Sequence, residues 1–216
     1  MNRFYGIGVG PGDPELLTLK AIRILKEAEY LFIPKSKDNS MAKNIVSEYI
    51  KDREIIELEF PMGEDNSNRY REAAKDIEEK LLKGNAAFIT LGDPMTYSTY
   101  IYLYRELKTL GIKVETIPGI NAYSASASRL NIPLAIKSES IYITDSIPPK
   151  AVLDEVETVC IFKCNRRKKE IIEILREKKF KFYLIKRVSH IDEEIISDID
   201  EMLKIDDYMS IIIGRK

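Results

Sequence analysis

Cysteine and histidine are scarce in this chain, whose 216 residues hold two of the former and one of the latter. Cys160 and Cys164 are too few and too close for a disulfide framework. With His190 as the only imidazole, a Cys/His zinc site cannot be assembled at the usual ligand spacing. Ser-His-Asp catalysis is not expected, because His190 sits within the charged stretch Ser189-His190-Ile191-Asp192 and is expected at the surface or the edge of a core. Charge of one sign is lacking too. A formal net charge of −1 gives no global basic field for nucleic acid, so an anionic ligand would have to meet local cations. Long apolar runs are missing as well. Residues 85–104 carry only Asp93 as a charge, but Gly92-Asp93-Pro94 in their middle would break a spanning helix. The first residues, Met1-Asn2-Arg3-Phe4-Tyr5-Gly6, contain no apolar core of signal-peptide length. A soluble, cytoplasmic protein without membrane or nucleic-acid partners is expected.

What is present is an ordinary globular balance, 44% hydrophobic and 32% charged, in a chain long enough to bury a core without staples. Residues 4–9 form a short apolar strand that runs into Gly10-Pro11-Gly12-Asp13-Pro14. A helix follows, with Leu19, Ile22, Leu25 and Ala28 on one face. Leu31-Phe32-Ile33 is a second strand stopped by Pro34; residues 41–49 read as a helix and 54–60 as a strand. Residues 66–83 form a polar-faced helix that Gly84 ends as its C′ residue. Residues 86–91 are a buried strand, 97–110 a helix closed by Gly111, and 113–117 another strand. Repeated strand, glycine loop and helix units argue for a parallel α/β sheet, whose ligands bind beyond the carboxyl ends of the strands. After Pro133 short strands dominate (141–144, 159–162, 182–185, 194–196 and 210–213), with a clear helix at 166–178. That pattern suggests a mixed sheet in a second domain. The division is expected as 1–114, an α/β domain with glycine-rich loops, and 115–216, a second α/β domain.

Three loops carry the chemical signal. Gly6-x-Gly8-x-Gly10 invites a dinucleotide-binding reading, but the run Pro11-Gly12-Asp13-Pro14 delays the helix and spoils its dipole contact to a pyrophosphate. The following strand also ends in Pro34 instead of an acid for a ribose. The second loop, 91–99, sets Asp93 at a strand end, where a carboxylate accepts from a ribose hydroxyl or an ammonium group, or else caps the next helix. The third, 118–127, is rich in small residues, which suit either close helix-to-sheet packing or close ligand approach.

Residues 8–21 (Gly-Val-Gly-Pro-Gly-Asp-Pro-Glu-Leu-Leu-Thr-Leu-Lys-Ala), Gly92-Asp93-Pro94, and Pro118-Gly119-Ile120 with Ile132-Pro133-Leu134 together resemble the tetrapyrrole methylases. The resemblance spans essentially the whole chain, and residues 92–103 are most similar to the branch that methylates carbon 20 of precorrin-2, with or without cobalt. It implies a homodimer of two-domain α/β subunits, a tetrapyrrole substrate, and S-adenosylmethionine, spent as S-adenosylhomocysteine, in a cleft between the domains. By motif position it implies cofactor contacts from Pro11, from Leu91, Gly92, Asp93 and Thr96, from Asn121 and Ala122, and from Phe162 and Lys163. Many members have Met-Gly where this chain has Lys163-Cys164.

The sulfonium methyl is already electrophilic, so the protein's task would be proximity and alignment. That fits the poverty of acid–base groups. Asp93 and Tyr97 are the candidate polar groups near the methyl path, and both are open to a purely positional role. The substrate's carboxylates call for cations. Candidates are Arg129, Lys137 and the cluster Lys163, Arg166, Arg167, Lys168 and Lys169, with a solvated helix start as the plainer reading of that run. Asp13 is placed between a helix cap and a substrate contact. Tyr97, Tyr100, Tyr102 and Tyr104 cannot all stack on a macrocycle from one helix. The competing expectations are methylation at another ring position, a non-catalytic tetrapyrrole or nucleotide carrier, and a dinucleotide oxidoreductase.

Overall fold

The computed structural model describes residues 2–35, 41–61 and 63–216. They fall into two units, Met1–Asn121 and Ala122–Lys216. The first contains β1 (Phe4–Gly8), α1 (Leu19–Glu27), β2 (Tyr30–Pro34), α2 (Met41–Val46), β3 (Glu54–Leu58), α3 (Ser67–Leu81), β4 (Ala86–Thr90), α4 (Tyr100–Thr109) and β5 (Val114–Ile117). Its strands form one parallel sheet in the order β3-β2-β4-β1-β5. The alternation of strand side chains builds two cores. Tyr5, Ile7, Leu31, Ile33 and Ile89 meet Ile24, Leu25 and Ile45 of α1 and α2 on one face. Phe4, Phe32 and Phe88 meet Ile77, Leu103 and Leu107 of α3 and α4 on the other. A sheet covered on both faces explains why β1 and β4 are buried along their whole length.

Helix ends depart from the sequence expectations for local reasons. The α-helix at 41 stops at Val46 and tightens into a 3-10 turn, Ser47–Tyr49. Gly84 does not take the left-handed conformation of a C′ residue, and α3 ends at Leu81. Gly84 is instead packed so closely on Glu29 that a Cβ there would lie 2.9 Å from its carboxyl carbon. Helix α4 starts at Tyr100, not Tyr97, because Tyr97 has φ of 48° and the chain turns before the helix begins.

The second unit contains α5 (Ala122–Leu130), β6 (Ile141–Thr144), α6 (Lys150–Glu155), β7 (Thr158–Phe162), α7 (Lys168–Glu177), β8 (Lys181–Lys186), β9 (Glu194–Ile196), α8 (Ile199–Lys204) and β10 (Ser210–Arg215). Its sheet runs β6-β7-β10-β8-β9. The β6–β7 pair is parallel and the other three are antiparallel, so the sheet is mixed. Val159, Ile161, Leu184 and Ile212 bury one face against Leu153, Ile171, Ile172, Leu175 and Met202 of α6, α7 and α8. Helix α5 packs on β10. The units divide at Asn121/Ala122, against the expected 114/115, because β5 is hydrogen-bonded in register to β1 and so belongs to the first sheet. Among the described residues no helix is long and apolar enough to cross a membrane.

Candidate functional site

Strand β1 lies between β4 and β5, and all three are parallel. Their carboxyl ends therefore open side by side, and the three loops singled out in the sequence leave from this one edge. Main chain ties them together. Val9 N–H donates to Thr90 O at 3.0 Å, and Gly10 and Gly92 exchange both backbone bonds, at 3.3 and 2.8 Å. Gly92 has φ of 64°, a conformation that side chains resist. At Gly119 the need is closeness, since a Cβ there would sit 2.1 Å from Gly92 O and 2.9 Å from Gly8 Cα. The loops thus lie backbone on backbone.

Asp93 is the polar link. One carboxylate oxygen accepts from Met95 N–H at 2.9 Å and from the Thr96 hydroxyl at 3.4 Å. The other accepts from Gly119 N–H at 3.2 Å. Its side chain caps no helix, since α4 begins seven residues later; it braces the second loop against the third. Beneath it a buried pair, Thr90 and Ser98, joins hydroxyls at 3.1 Å, and Ser98 Oγ accepts from Tyr100 N–H at 3.1 Å. Neither hydroxyl is singled out by the sequence, where Thr90 is part of a buried strand and Ser98 part of the second loop. Tyr97, carried on this turn, is 40% exposed. Tyr100 is fully buried, its phenol 2.8 Å from Thr116 Oγ1, and burial pushes its pKa up to about 12. Of the four tyrosines, Tyr100 is thus core, while Tyr102 stacks on Tyr70 at 5.4 Å.

Pro11 is buried at the start of the first loop, and Leu91, Gly92, Thr96 and Asn121 are half-buried. Asp13 accepts from Glu15 N–H at 2.8 Å and so caps the 3-10 turn Pro14–Leu16, while α1 is capped by Thr18, whose hydroxyl accepts from Ala21 N–H at 3.1 Å. The first unit by itself therefore brings together Pro11, Leu91, Gly92, Asp93, Thr96 and Asn121 along one sheet edge.

In the second unit, Ala122 opens α5 and Phe162 ends β7, its ring edge-on to Tyr123 at 6.1 Å between centroids. Lys163 has φ of 53° and its Nζ lies 5.8 Å over the Tyr208 ring. Arg129 is paired with Glu193 at 3.1 Å. Lys137 is exposed, with φ of 56°. Lys168 departs from the solvated helix start expected of the basic run. It is buried, donates to Ile205 O, and has its pKa lowered by that burial. Cys160 and Cys164 are buried free thiols, the first pushed up to about 12 by desolvation, so neither is an activated nucleophile. His190 is half-buried between β8 and β9, and its Nε2 has no hydrogen-bond partner among the described residues.

Comparison with known proteins gives this arrangement relatives. The family model described as Tetrapyrrole (Corrin/Porphyrin) Methylases matches residues 3–202. A Methanocaldococcus jannaschii protein named "Probable cobalt-precorrin-2 C(20)-methyltransferase" is 37% identical, with 100% of this chain and 97% of the relative covered. The Salmonella typhimurium cobalt-precorrin-2 C(20)-methyltransferase is 33% identical over 69% of this chain and 66% of its own. Among solved structures, a cobalt precorrin-4 methyltransferase superposes with a TM-score of 0.81 at 18% identity, covering 99% of this chain and 94% of that one. The Thermus thermophilus uroporphyrin-III C-methyltransferase, complexed with S-adenosylhomocysteine, gives 0.76 at 21% identity, covering 100% and 98%. At those identities the structures establish the fold, and the family match establishes descent: this chain belongs to the tetrapyrrole (corrin/porphyrin) methylases.

Proposed function

We propose that the chain transfers a methyl group from S-adenosylmethionine to carbon 20 of cobalt-precorrin-2, a step of cobalamin biosynthesis, releasing S-adenosylhomocysteine. The observation that carries this is 37% identity across the whole chain to a relative named for that reaction. A second relative so named, at 33%, supports the cobalt-loaded substrate over the metal-free one.

The first unit's loops fit such a cofactor. Close-packed glycine backbones leave main-chain groups and small side chains, with Pro11 and Leu91 as apolar contacts, along one sheet edge. Pro11, Leu91, Gly92, Asp93, Thr96 and Asn121 are assigned to holding it, and the family's motif positions add Ala122, Phe162 and Lys163 to the assignment. The bound cofactor supplies an electrophilic methyl group on sulfonium sulfur. The protein's contribution is alignment. Asp93 accepts from three donors inside its own unit, and its part is to fix loop geometry, not to remove a proton. Tyr97 stands on the same turn as the remaining polar candidate beside the methyl path. A homodimer working in the cytoplasm completes the proposal, and light scattering at twice the chain mass is the expected result in solution.

Two measurements test the assignment. Calorimetric titration with S-adenosylhomocysteine should give saturable binding, and its absence would defeat a methyltransferase role. Turnover of labelled cofactor should be faster with cobalt-precorrin-2 than with metal-free precorrin-2, and the reverse order would refute the cobalt assignment.

A further inference from the structure

The turn that follows β7 is built in an unusual way. It leaves the strand through Lys163 in the left-handed conformation and runs as a 3-10 turn, Cys164–Arg167, into α7. Three side chains pin it to the segment before and at the start of β10. Cys164 Sγ lies 3.4 Å from Ser210 Oγ, Asn165 Nδ2 donates to Asp206, and Lys168 Nζ donates to Ile205 O. Between those anchors Arg166 and Arg167 are exposed, and among the described residues neither guanidinium has a hydrogen-bond or ion-pair partner. The two arginines stand at the start of α7, where the helix dipole disfavours cations. Nothing in the local fold rewards this placement. An anion bound there would.

Of the other candidate cations of this unit, three are engaged within the fold, and Lys137 and Lys169 are exposed lysines, which lack the fork of arginine. Arg129 is paired with Glu193, Lys168 is buried on a carbonyl, and Lys163 lies over the Tyr208 ring. Arginine also differs from lysine in offering a planar fork that matches a carboxylate with two parallel hydrogen bonds. We infer that Arg166 and Arg167 bind carboxylates on the rim of the tetrapyrrole substrate, and so fix which part of the macrocycle is offered for methylation. This rests on the function proposed above, which supplies a polycarboxylate substrate and places Phe162 and Lys163, just before the turn, beside the cofactor.

The test compares wild-type protein with the double variants R166Q/R167Q and R166K/R167K. Each is saturated with S-adenosylhomocysteine and titrated with cobalt-precorrin-2 or its fully methyl-esterified form, with binding read from macrocycle absorbance. Loss of charge-assisted hydrogen bonds should weaken binding of the free acid by about tenfold or more in R166Q/R167Q. The lysine variant should fall between, because it keeps charge without the fork. The ester should bind all three proteins alike. Thermal midpoints and S-adenosylhomocysteine affinity should stay at wild-type values, since among the described residues neither side chain has a hydrogen-bond or ion-pair partner to lose. Equal affinity of wild type and R166Q/R167Q for the free acid would overturn the assignment, and so would a parallel loss of S-adenosylhomocysteine binding. Arginine-dependent binding with the methyl group placed elsewhere than carbon 20 would sink the ring-position proposal and leave this one standing. A wild-type protein that binds no tetrapyrrole would sink both.

Discussion

Gly6 and Tyr100 illustrate how single residues hold the first unit's sheet. A Cβ on Gly6 would lie 2.1 Å from Tyr100 Cζ, and the fully buried ring cannot swing aside without losing Thr116. Gly6→Ala should therefore cost about 3 kcal/mol of stability by overpacking, read from urea denaturation. Tyr100→Phe keeps the ring and loses one hydrogen bond, a cost of about 1 kcal/mol. Its pH dependence is more telling. A tyrosine whose native pKa is raised from 10.0 to about 12 contributes stability below pH 10 that is lost as pH climbs towards 12. Wild-type protein should lose stability over that window with a steeper slope than Y100F, and equal slopes would place the phenol in water. At Asp93 the prediction concerns the cofactor. Asp93→Ala removes the brace between two loops and should weaken S-adenosylhomocysteine binding by about tenfold, from the loss of hydrogen bonds to a charged group. D93N keeps the acceptor facing Met95 but not the one facing Gly119, and should fall in between. Methyl transfer by D93N should retain the wild-type pH profile, whereas a proton-removing Asp93 would leave it inactive.

Among secondary-structure elements, three helices close by the same device with three different residues. Gly111 after α4, Asn131 after α5 and Lys179 after α7 have φ of 72°, 53° and 60°. Each is followed by a residue whose N–H reaches back over the last turn: Ile112 to Leu107 O, Ile132 to Ala127 O and Phe180 to Leu175 O. Lysine carries a steric penalty in that conformation that glycine does not. Lys179→Gly should stabilise the protein by about 1 kcal/mol, seen as a higher denaturation midpoint with unchanged cooperativity. A loss of stability instead would mean that the Lys179 side chain makes contacts that matter more. The same helices mark what a sequence can disclose. Gly111 is legible as a helix end because glycine is the common C′ residue, while Lys179 carries no such signal. Helix α5 reads as a run of small residues, since Ala-Tyr-Ser-Ala-Ser-Ala-Ser has no apolar stripe to betray its period. Helices α6 and α8 are six residues long, too short for a helical period to register. The buried strands are legible from their unbroken aliphatic and aromatic runs, which both-face burial demands.

For the whole molecule, strand order is what the sequence withholds. The three glycine loops can be found one by one, but their adjacency depends on β1 pairing with both β4 and β5, contacts between residues more than eighty positions apart. That pairing also moves the division of the chain to Asn121/Ala122. The loops' mutual bracing through Asp93 and Gly119 depends on the same adjacency, so Asp93 could be noticed from its place in a motif but not assigned its partners. Family membership is legible earlier than any of this, because the motifs occur in the right order along the chain. The account as a whole stands on one reaction outcome. The purified protein is incubated with cobalt-precorrin-2 and S-adenosylmethionine carrying a carbon-13 methyl group, and the product is analysed by NMR. A labelled methyl on carbon 20 is the predicted result; a label on any other carbon, or an unlabelled macrocycle, would contradict it.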